Sequence, residues 1–163
     1  MKFRQINEAF DWVFKGEGTD EQVRRLKEVA KFNQAIVPIV RMGVGAEKPE
    51  WVVPEGQPEL EKLDETLPDG MGQTTITQEW RRIQQFFTSG SNLMNLNQLK
   101  IEFVWVQILE GLQKNEVAIL TAVKDGKLLD LYPQFEAILP TLGINEYNKP
   151  KPKKKRAPRR KKA

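Results

Sequence analysis

The chain of 163 residues contains neither cysteine nor histidine. Without Cys, disulfides, thiolate metal sites and cysteine nucleophiles are excluded. Without His, the chain lacks the commonest general base and the commonest transition-metal ligand, and it cannot form a Ser-His-Asp triad. It also has no P-loop, no nucleophile-elbow motif and no dinucleotide-binding fingerprint. We therefore predict a non-enzymatic protein with no catalytic residues, no metal site and no cofactor.

Long apolar stretches are absent as well. No run approaches the roughly 20 apolar residues that a transmembrane helix requires. The first ten residues, MKFRQINEAF, lack the apolar segment of a signal peptide. We expect no membrane span and a location in the cytoplasm.

Positive charge, by contrast, is concentrated in the last fifteen residues, 149–163, which read KPKPKKKRAPRRKKA. This tail contains ten Lys or Arg, three Pro and no acidic residue. Subtracting its ten charges from the net charge of +4 for the whole chain leaves −6 for residues 1–148. A like-charge segment interrupted by prolines cannot bury enough apolar area to offset the entropy of ordering, so we predict that the tail is disordered.

The tail is also the strongest functional signal in the sequence. Closely spaced Lys and Arg neutralise phosphates and release counterions, which gives non-specific binding to nucleic acid. Two alternatives remain open: a protein or lipid polyanion as the partner, and a solubilising terminus with no dedicated partner. The predicted nucleic-acid-binding residues are the ten tail cations: Lys149, Lys151, Lys153, Lys154, Lys155, Arg156, Arg159, Arg160, Lys161 and Lys162.

Residues 1–148 have a length that suits one domain with an ordinary hydrophobic core. Apolar residues recur at spacings of three and four nearly throughout, which is the pattern of amphipathic helices. No alternating run of strand length interrupts this pattern. The sequence therefore predicts an all-α domain over residues 1–148, a small irregular bundle of about six to seven helices.

Local signals predict several helix boundaries. Thr19, three residues before a Gln, resembles the start of a capping box. A helix containing a proline is expected to end at Gly43, and Asn95 and Asn115 are expected to cap the helices that follow them. The segment Leu99–Leu109 is apolar on most sides, so we expect it at the centre of the bundle.

Residues 44–73 form a predicted Pro/Gly-rich acidic loop. Between Glu47 and Asp69, eight acidic residues face two Lys, a net charge of −6. A loop of this length is usually functional or a linker. Because the loop and the tail belong to one molecule, the loop is a candidate internal competitor for the tail.

Three residues outside the tail are weaker candidates for partner binding. Trp51, within the acidic loop, either fixes the loop to the core or serves as an aromatic anchor for a partner. Arg81 and Arg82 would extend a basic surface, with Trp80 as a stacking platform for single strands. The spacing of Trp80 to its apolar neighbours favours burial instead.

The order of several segments resembles an uncharacterised family of small helical proteins from large contractile-tailed (myovirus-type) bacteriophages and cyanophages. The resemblance covers nearly all of residues 1–144. It implies a bacteriophage protein that acts in the cytoplasm of the infected bacterial host or is packaged in the virion. The family has no assigned activity, so the resemblance supplies no functional residue. The segments that carry it are WVVPEGQPE (51–59), PDGMG (68–72), EWRRIQQFF (79–87), FVWVQILEGL (103–112) and NEVAILTAVKDGKL (115–128).

These observations lead to two hypotheses about function. In the first, the protein associates non-specifically with nucleic acid through its tail, and the helical body makes protein contacts. In the second, it is a structural or adaptor protein, a virion component or a modulator of a host machine, whose tail steers binding to an acidic partner. The oligomeric state is not predictable from the sequence.

Overall fold

The computed structural model describes residues 3–60, 73–88 and 91–149. Within these residues the chain forms eight α-helices, one 3-10 helix and no β-strand, which confirms the all-α prediction. The helix count exceeds the expected six to seven because two of the helices are single turns. The helices are α1 (Ile6–Phe14), α2 (Thr19–Phe32), α3 (Ile36–Val44), α4 (Ile76–Gln84), a 3-10 helix (Asn92–Asn95), α5 (Gln98–Glu110), α6 (Lys114–Asp125), α7 (Leu128–Leu131) and α8 (Phe135–Ile138).

The central helix is α6, which packs against α1, α3 and α7. The expectation that α5 lies at the centre is wrong. One side of α5 is buried through Ile101 and Trp105, but Leu99 and Phe103 on the opposite side are 80% and 63% exposed. Helix α5 is apolar on several sides, but the described residues cover only one of them.

The start of α2 differs from the predicted capping box. Gly18 precedes the helix, with a φ of 88°, and Thr19 is the first helical residue, without a side-chain cap. The side chain of Gln22 instead donates to the carbonyl oxygen of Gly16, at 3.1 Å. Glycine is favoured before this helix because the left-handed region of φ strains other residues.

The caps of α5 and α6 each lie two residues from the predicted positions. The side chain of Asn97, not that of Asn95, accepts from the backbone N–H of Lys100 at 2.9 Å. Gln113, not Asn115, caps α6, and it accepts from the N–H of Asn115 at 2.9 Å. In both cases the cap is the polar residue with an extended backbone directly before the helix, which is what N-capping geometry requires.

Helix α3 continues past Gly43, where we expected it to end, and stops at Gly45. Gly45 has a φ of 88°, the left-handed conformation of a helix C-terminus. Gly43 has a packing role, since a Cβ there would lie 2.7 Å from the side chain of Leu128. Pro38 lies in the first turn of α3, where its missing N–H leaves no helical hydrogen bond unmade.

Large parts of two predicted segments lie outside the described residues. These are residues 61–72 of the acidic loop and residues 150–163 of the tail, of which only Lys149 is described. Across the part of the chain that the structure covers, no helix has both the length and the apolarity needed to cross a membrane.

Candidate nucleic-acid and partner surfaces

The tail leaves the helical body at a fixed point. The backbone N–H of Asn148 donates to the carbonyl oxygen of Val44 at 2.7 Å, and its Nδ2 donates to the carbonyl oxygen of Gly126 at 3.0 Å. Val44 ends α3 and Gly126 follows α6, so Asn148 joins the C-termini of two helices. Lys149, the next residue, is exposed. The other nine predicted nucleic-acid-binding cations lie outside the described residues.

Two glycines from distant parts of the chain, Gly45 and Gly126, pack against the side chain of Asn148. Gly45 and Gly126 have φ values of 88° and 70°, and both approach the Asn148 side chain closely. A Cβ at Gly126 would lie 2.8 Å from Nδ2 of Asn148, and a Cβ at Gly45 would clash with the same atom. The start of the tail is therefore held by hydrogen bonds and by a tight steric fit.

Arginines on α2 form ion pairs rather than an open basic surface. Arg24 and Arg25 both bind Glu21, at 2.7 and 2.8 Å. These hydrogen bonds, first from Arg24 and then from Arg25, lower the pKa of Glu21 to about 2. The guanidinium of Arg25 also lies 4.7 Å from the centre of the Trp12 ring. The positive charge of this pair is thus partly neutralised by the body itself.

Arg81 and Arg82 both lie on the exposed face of α4. Arg82 forms an ion pair with Glu79 at 2.9 Å. Trp80 is buried, with an exposed fraction of 7%, so its ring does not form a stacking platform beside the two arginines. A role for Arg81 and Arg82 in partner binding stays a prediction.

Trp51 is half-buried and belongs to an aromatic cluster. Its ring lies 4.6 Å from that of Phe87 and 5.8 Å from that of Trp105. The N–H of Val52 donates to the carbonyl oxygen of Phe86 at 2.9 Å. These contacts hold the loop against the bundle. A role for Trp51 as a partner anchor stays a prediction.

A buried ion pair fixes the next part of the loop. The side chains of Lys124 and Asp125 are only 2% and 7% exposed, and they lie 2.6 Å apart. Nζ of Lys124 also donates to the carbonyl oxygen of Pro54 at 2.7 Å. Oδ2 of Asp125 accepts from the N–H of Gly56 at 3.0 Å. Sequence reasoning missed this pair because a Lys-Asp step at a helix C-terminus normally indicates solvated charges.

The exposed side of α5 carries an apolar stripe. Leu99 and Phe103 are 80% and 63% exposed, and their spacing of four places them on one face of α5. Leu96, which is 40% exposed, lies in the extended segment just before this helix. We call these three residues the α5 stripe. Contiguous exposed apolar side chains are typical of protein interaction sites. Among the described residues, no group of three or more acidic side chains could hold a metal ion.

The chain belongs to a family of unknown function (DUF6433), whose family model matches residues 12–130. No curated protein and no solved structure matches the chain. The matched range includes the α5 stripe, the Lys124–Asp125 pair and all three weaker candidates for partner binding. Residues 149–163 lie outside the range, so the tail is not part of what the family model describes.

Proposed function

We propose that this protein is a non-enzymatic bacteriophage protein that associates non-specifically with nucleic acid through its tail. The observation that carries the proposal is the charge distribution: ten cations and no acid in residues 149–163, against a net charge of −6 for residues 1–148. Because the rest of the chain repels a polyanion, the tail has to supply nearly all of the attraction. The proposed location is the cytoplasm of the infected bacterial host, or the virion.

The geometry of the tail's first residues supports this role. Asn148 is bound to two helix C-termini, and Lys149 is exposed beside it. Alternating Lys and Pro favours an extended backbone, along which successive charges follow the phosphates of a nucleic acid strand. This mode of binding involves no contact with base edges, so we expect affinity without sequence preference.

In this proposal the helical body contributes contacts with a protein. The α5 stripe supports that assignment, since Leu99 and Phe103 are 80% and 63% exposed on one face. The same stripe favours the second candidate function, a structural or adaptor protein whose tail steers it to an acidic partner. Such a protein would be a virion component or a modulator of a host machine.

The test compares the full chain with a neutral-tail variant, in which all ten tail Lys and Arg are replaced by Gln. We expect the unmodified chain to bind arbitrary duplex DNA and single-stranded RNA with an affinity that falls steeply with salt. A tail that engages about six phosphates loses roughly a thousandfold in affinity between 50 and 200 mM salt. The neutral-tail variant should lose this binding and keep the same melting temperature.

The matched control is Arg81→Gln with Arg82→Gln, which removes two exposed cations from the body. This variant should retain most of the affinity. Equal binding by the neutral-tail variant would contradict the proposal and direct attention to the helices. The adaptor function predicts instead a partner that stays bound to the tagged chain after nuclease treatment and is lost from the neutral-tail variant.

A further inference from the structure

A cleft of about 130 Å³ lies between the loop segment 54–58 and helix α5. We call it the α5 cleft. Glu102, Trp105 and Val106 form its helical wall, and prolines contribute to the loop wall. The charged residues that line it among the described residues are Glu102 and Glu55, and Glu55 also forms an exposed ion pair with Lys127 at 3.1 Å. The cleft therefore combines an apolar wall with negative charge.

The loop wall is held in position from two sides. The N–H of Gly56 binds the buried side chain of Asp125. Nε2 of Gln98 bridges the loop and the helix, since it donates to the carbonyl oxygen of Val52 at 2.9 Å and to Glu102 at 2.8 Å. The cleft is thus a built feature of the fold, and its width is set by these contacts.

One polar atom in the helical wall lacks a partner. Trp105 is only 2% exposed, and its Nε1 has no hydrogen-bond acceptor among the described residues. Buried indole N–H groups normally have an acceptor. That atom is itself fully buried, so a ligand in the cleft would contact the aromatic ring of Trp105, which lines the helical wall. Aromatic surfaces of this kind bind Pro-rich segments.

We propose that the α5 cleft binds the chain's own tail, through its Lys-Pro segment at residues 149–152. Proline has no N–H, so segments of this kind keep an extended conformation with unpaired carbonyl groups, and they bind grooves lined by aromatic residues. The lysines of the segment complement Glu55 and Glu102, which line the cleft. The Lys-Pro segment combines positive charge with alternating prolines. The first matches the acidic residues of the cleft, and the second matches its aromatic wall.

The tail also begins close to the cleft. Gly56, in the loop wall, is bound to Asp125, while Asn148 is bound to Gly126, the next residue. An extended segment covers about 3.1 Å per residue, so the four residues after Asn148 span about 12 Å. Tethering at such a short distance gives the tail a local concentration on the order of millimolar. A weak contact is then sufficient for substantial occupancy.

Docking of the tail should lower the apparent affinity of the protein for nucleic acid, an effect that rests on the proposed function. Cations held in the cleft are not available to phosphates. If the tail is docked for half of the time, the apparent affinity for nucleic acid falls about twofold. The contact would favour long polyanions, which engage many tail cations, over small anions that engage few.

The absence of cysteine allows a direct test in the full chain. Ala157→Cys introduces a single thiol into the tail, to which a nitroxide spin label is attached. We expect paramagnetic broadening of the amide resonances of Gly56, Glu102 and Val106 at low salt. Broadening should be absent from Val23 on α2, and it should disappear near 1 M salt, where charge interactions are screened.

Replacement of the two acidic residues tests the electrostatic part of the contact. Glu55→Gln with Glu102→Gln should reduce the broadening and raise the affinity for a short DNA duplex about twofold at low salt. The matched control, Glu17→Gln with Asp20→Asn, removes the same charge at exposed positions on and before α2. It should leave the broadening at the cleft unchanged.

Three results would overturn the inference. The first is no broadening at the cleft, and the second is broadening spread evenly over the surface. The third is broadening that arises only when labelled chains are mixed with separate isotope-labelled chains, which would place the tail on a second copy. Failure of the proposed function is distinguishable from all three, since cleft broadening without any DNA binding would leave the docking intact.

Discussion

Glu116 on α6 has a fully buried carboxyl group that joins two helix N-termini. Its Oε2 accepts from the N–H of Ile6 at 2.7 Å, and its Oε1 accepts from the N–H of Ile76 at 2.9 Å. Ile6 and Ile76 are the first residues of α1 and α4, so their N–H groups have no partner within their own helices. The positive ends of both helix dipoles also face this carboxyl group.

Substitution of Glu116 should be strongly destabilising. Glu116→Ala removes both hydrogen bonds and leaves two buried N–H groups unsatisfied, each of which costs about 1–3 kcal/mol. We therefore expect the free energy of unfolding to fall by about 2–6 kcal/mol. Glu116→Gln keeps one carbonyl acceptor but turns an amide N–H toward the second backbone N–H. Its cost should be about half, or roughly 1–3 kcal/mol.

The same residue should make stability depend on pH. Burial raises the pKa of Glu116 to about 7, although the N–H groups of Ile6 and Ile76 act in the opposite direction. Between the ordinary value of 4.5 and about 7, the folded protein keeps a proton that the unfolded chain has lost. The stability contributed by this group is therefore complete below pH 4.5 and decreases as the pH rises through 7. A shift of this size corresponds to about 3 kcal/mol.

The assay is urea-induced unfolding, followed by tryptophan fluorescence at pH 5 and pH 8. Glu116→Gln has no carboxyl group to titrate, so only the unmodified chain should lose this contribution to stability as the pH rises. The difference in the free energy of unfolding between the two proteins should therefore be smaller at pH 8 than at pH 5. The control is Glu17→Gln at an exposed position, which should change stability by no more than about 0.5 kcal/mol. A gap that is zero at pH 5, or that is equal at both pH values, would refute the reasoning.

Three further predictions concern the tail, the loop and the exposed helix. Asp125→Ala leaves Lys124 buried without its ionic partner, so urea unfolding should show a loss of about 3–5 kcal/mol, with faster proteolysis of the loop. Gly45→Ala forces a left-handed residue against Asn148 and should cost at least about 1–2 kcal/mol; part of this loss should be recovered in a double-mutant cycle with Asn148→Ala. Leu99→Gln should leave the melting temperature nearly unchanged, because the side chain is 80% exposed, yet weaken capture of a nuclease-resistant protein partner.

The helices themselves were largely predictable from the sequence. The stripes of α1, α2 and α4 have helical spacing, and Trp80 is buried as its spacing indicated. Such predictions succeed because they depend on residues three or four positions apart. Boundaries were less accurate: the caps at Asn97 and Gln113 were each misplaced by two residues. Several polar residues precede each helix, and the backbone conformation decides which of them forms the cap.

The polar contacts that organise the body were not predictable. Glu116 lies 110 residues from Ile6 and 40 from Ile76, and an acid in the first turn of a helix normally indicates a solvated residue that faces the dipole. Lys124 is bound to Pro54, which lies 70 residues away. No periodicity within either segment encodes these pairs. They become visible only when the packing brings the two segments together.

Asp125, the last residue of α6, and Gly126, which follows it, connect the candidate surfaces. The side chain of Asp125 binds Gly56 in the loop, and the carbonyl group of Gly126 binds Asn148 at the start of the tail. Gly126 has a φ of 70°, so the chain turns at this point in a conformation that favours glycine. The middle of the loop and the start of the tail are therefore held at one corner of the fold. On the proposed function, the charge of the tail sets its affinity for a polyanion, while this corner sets where on the body that polyanion is bound.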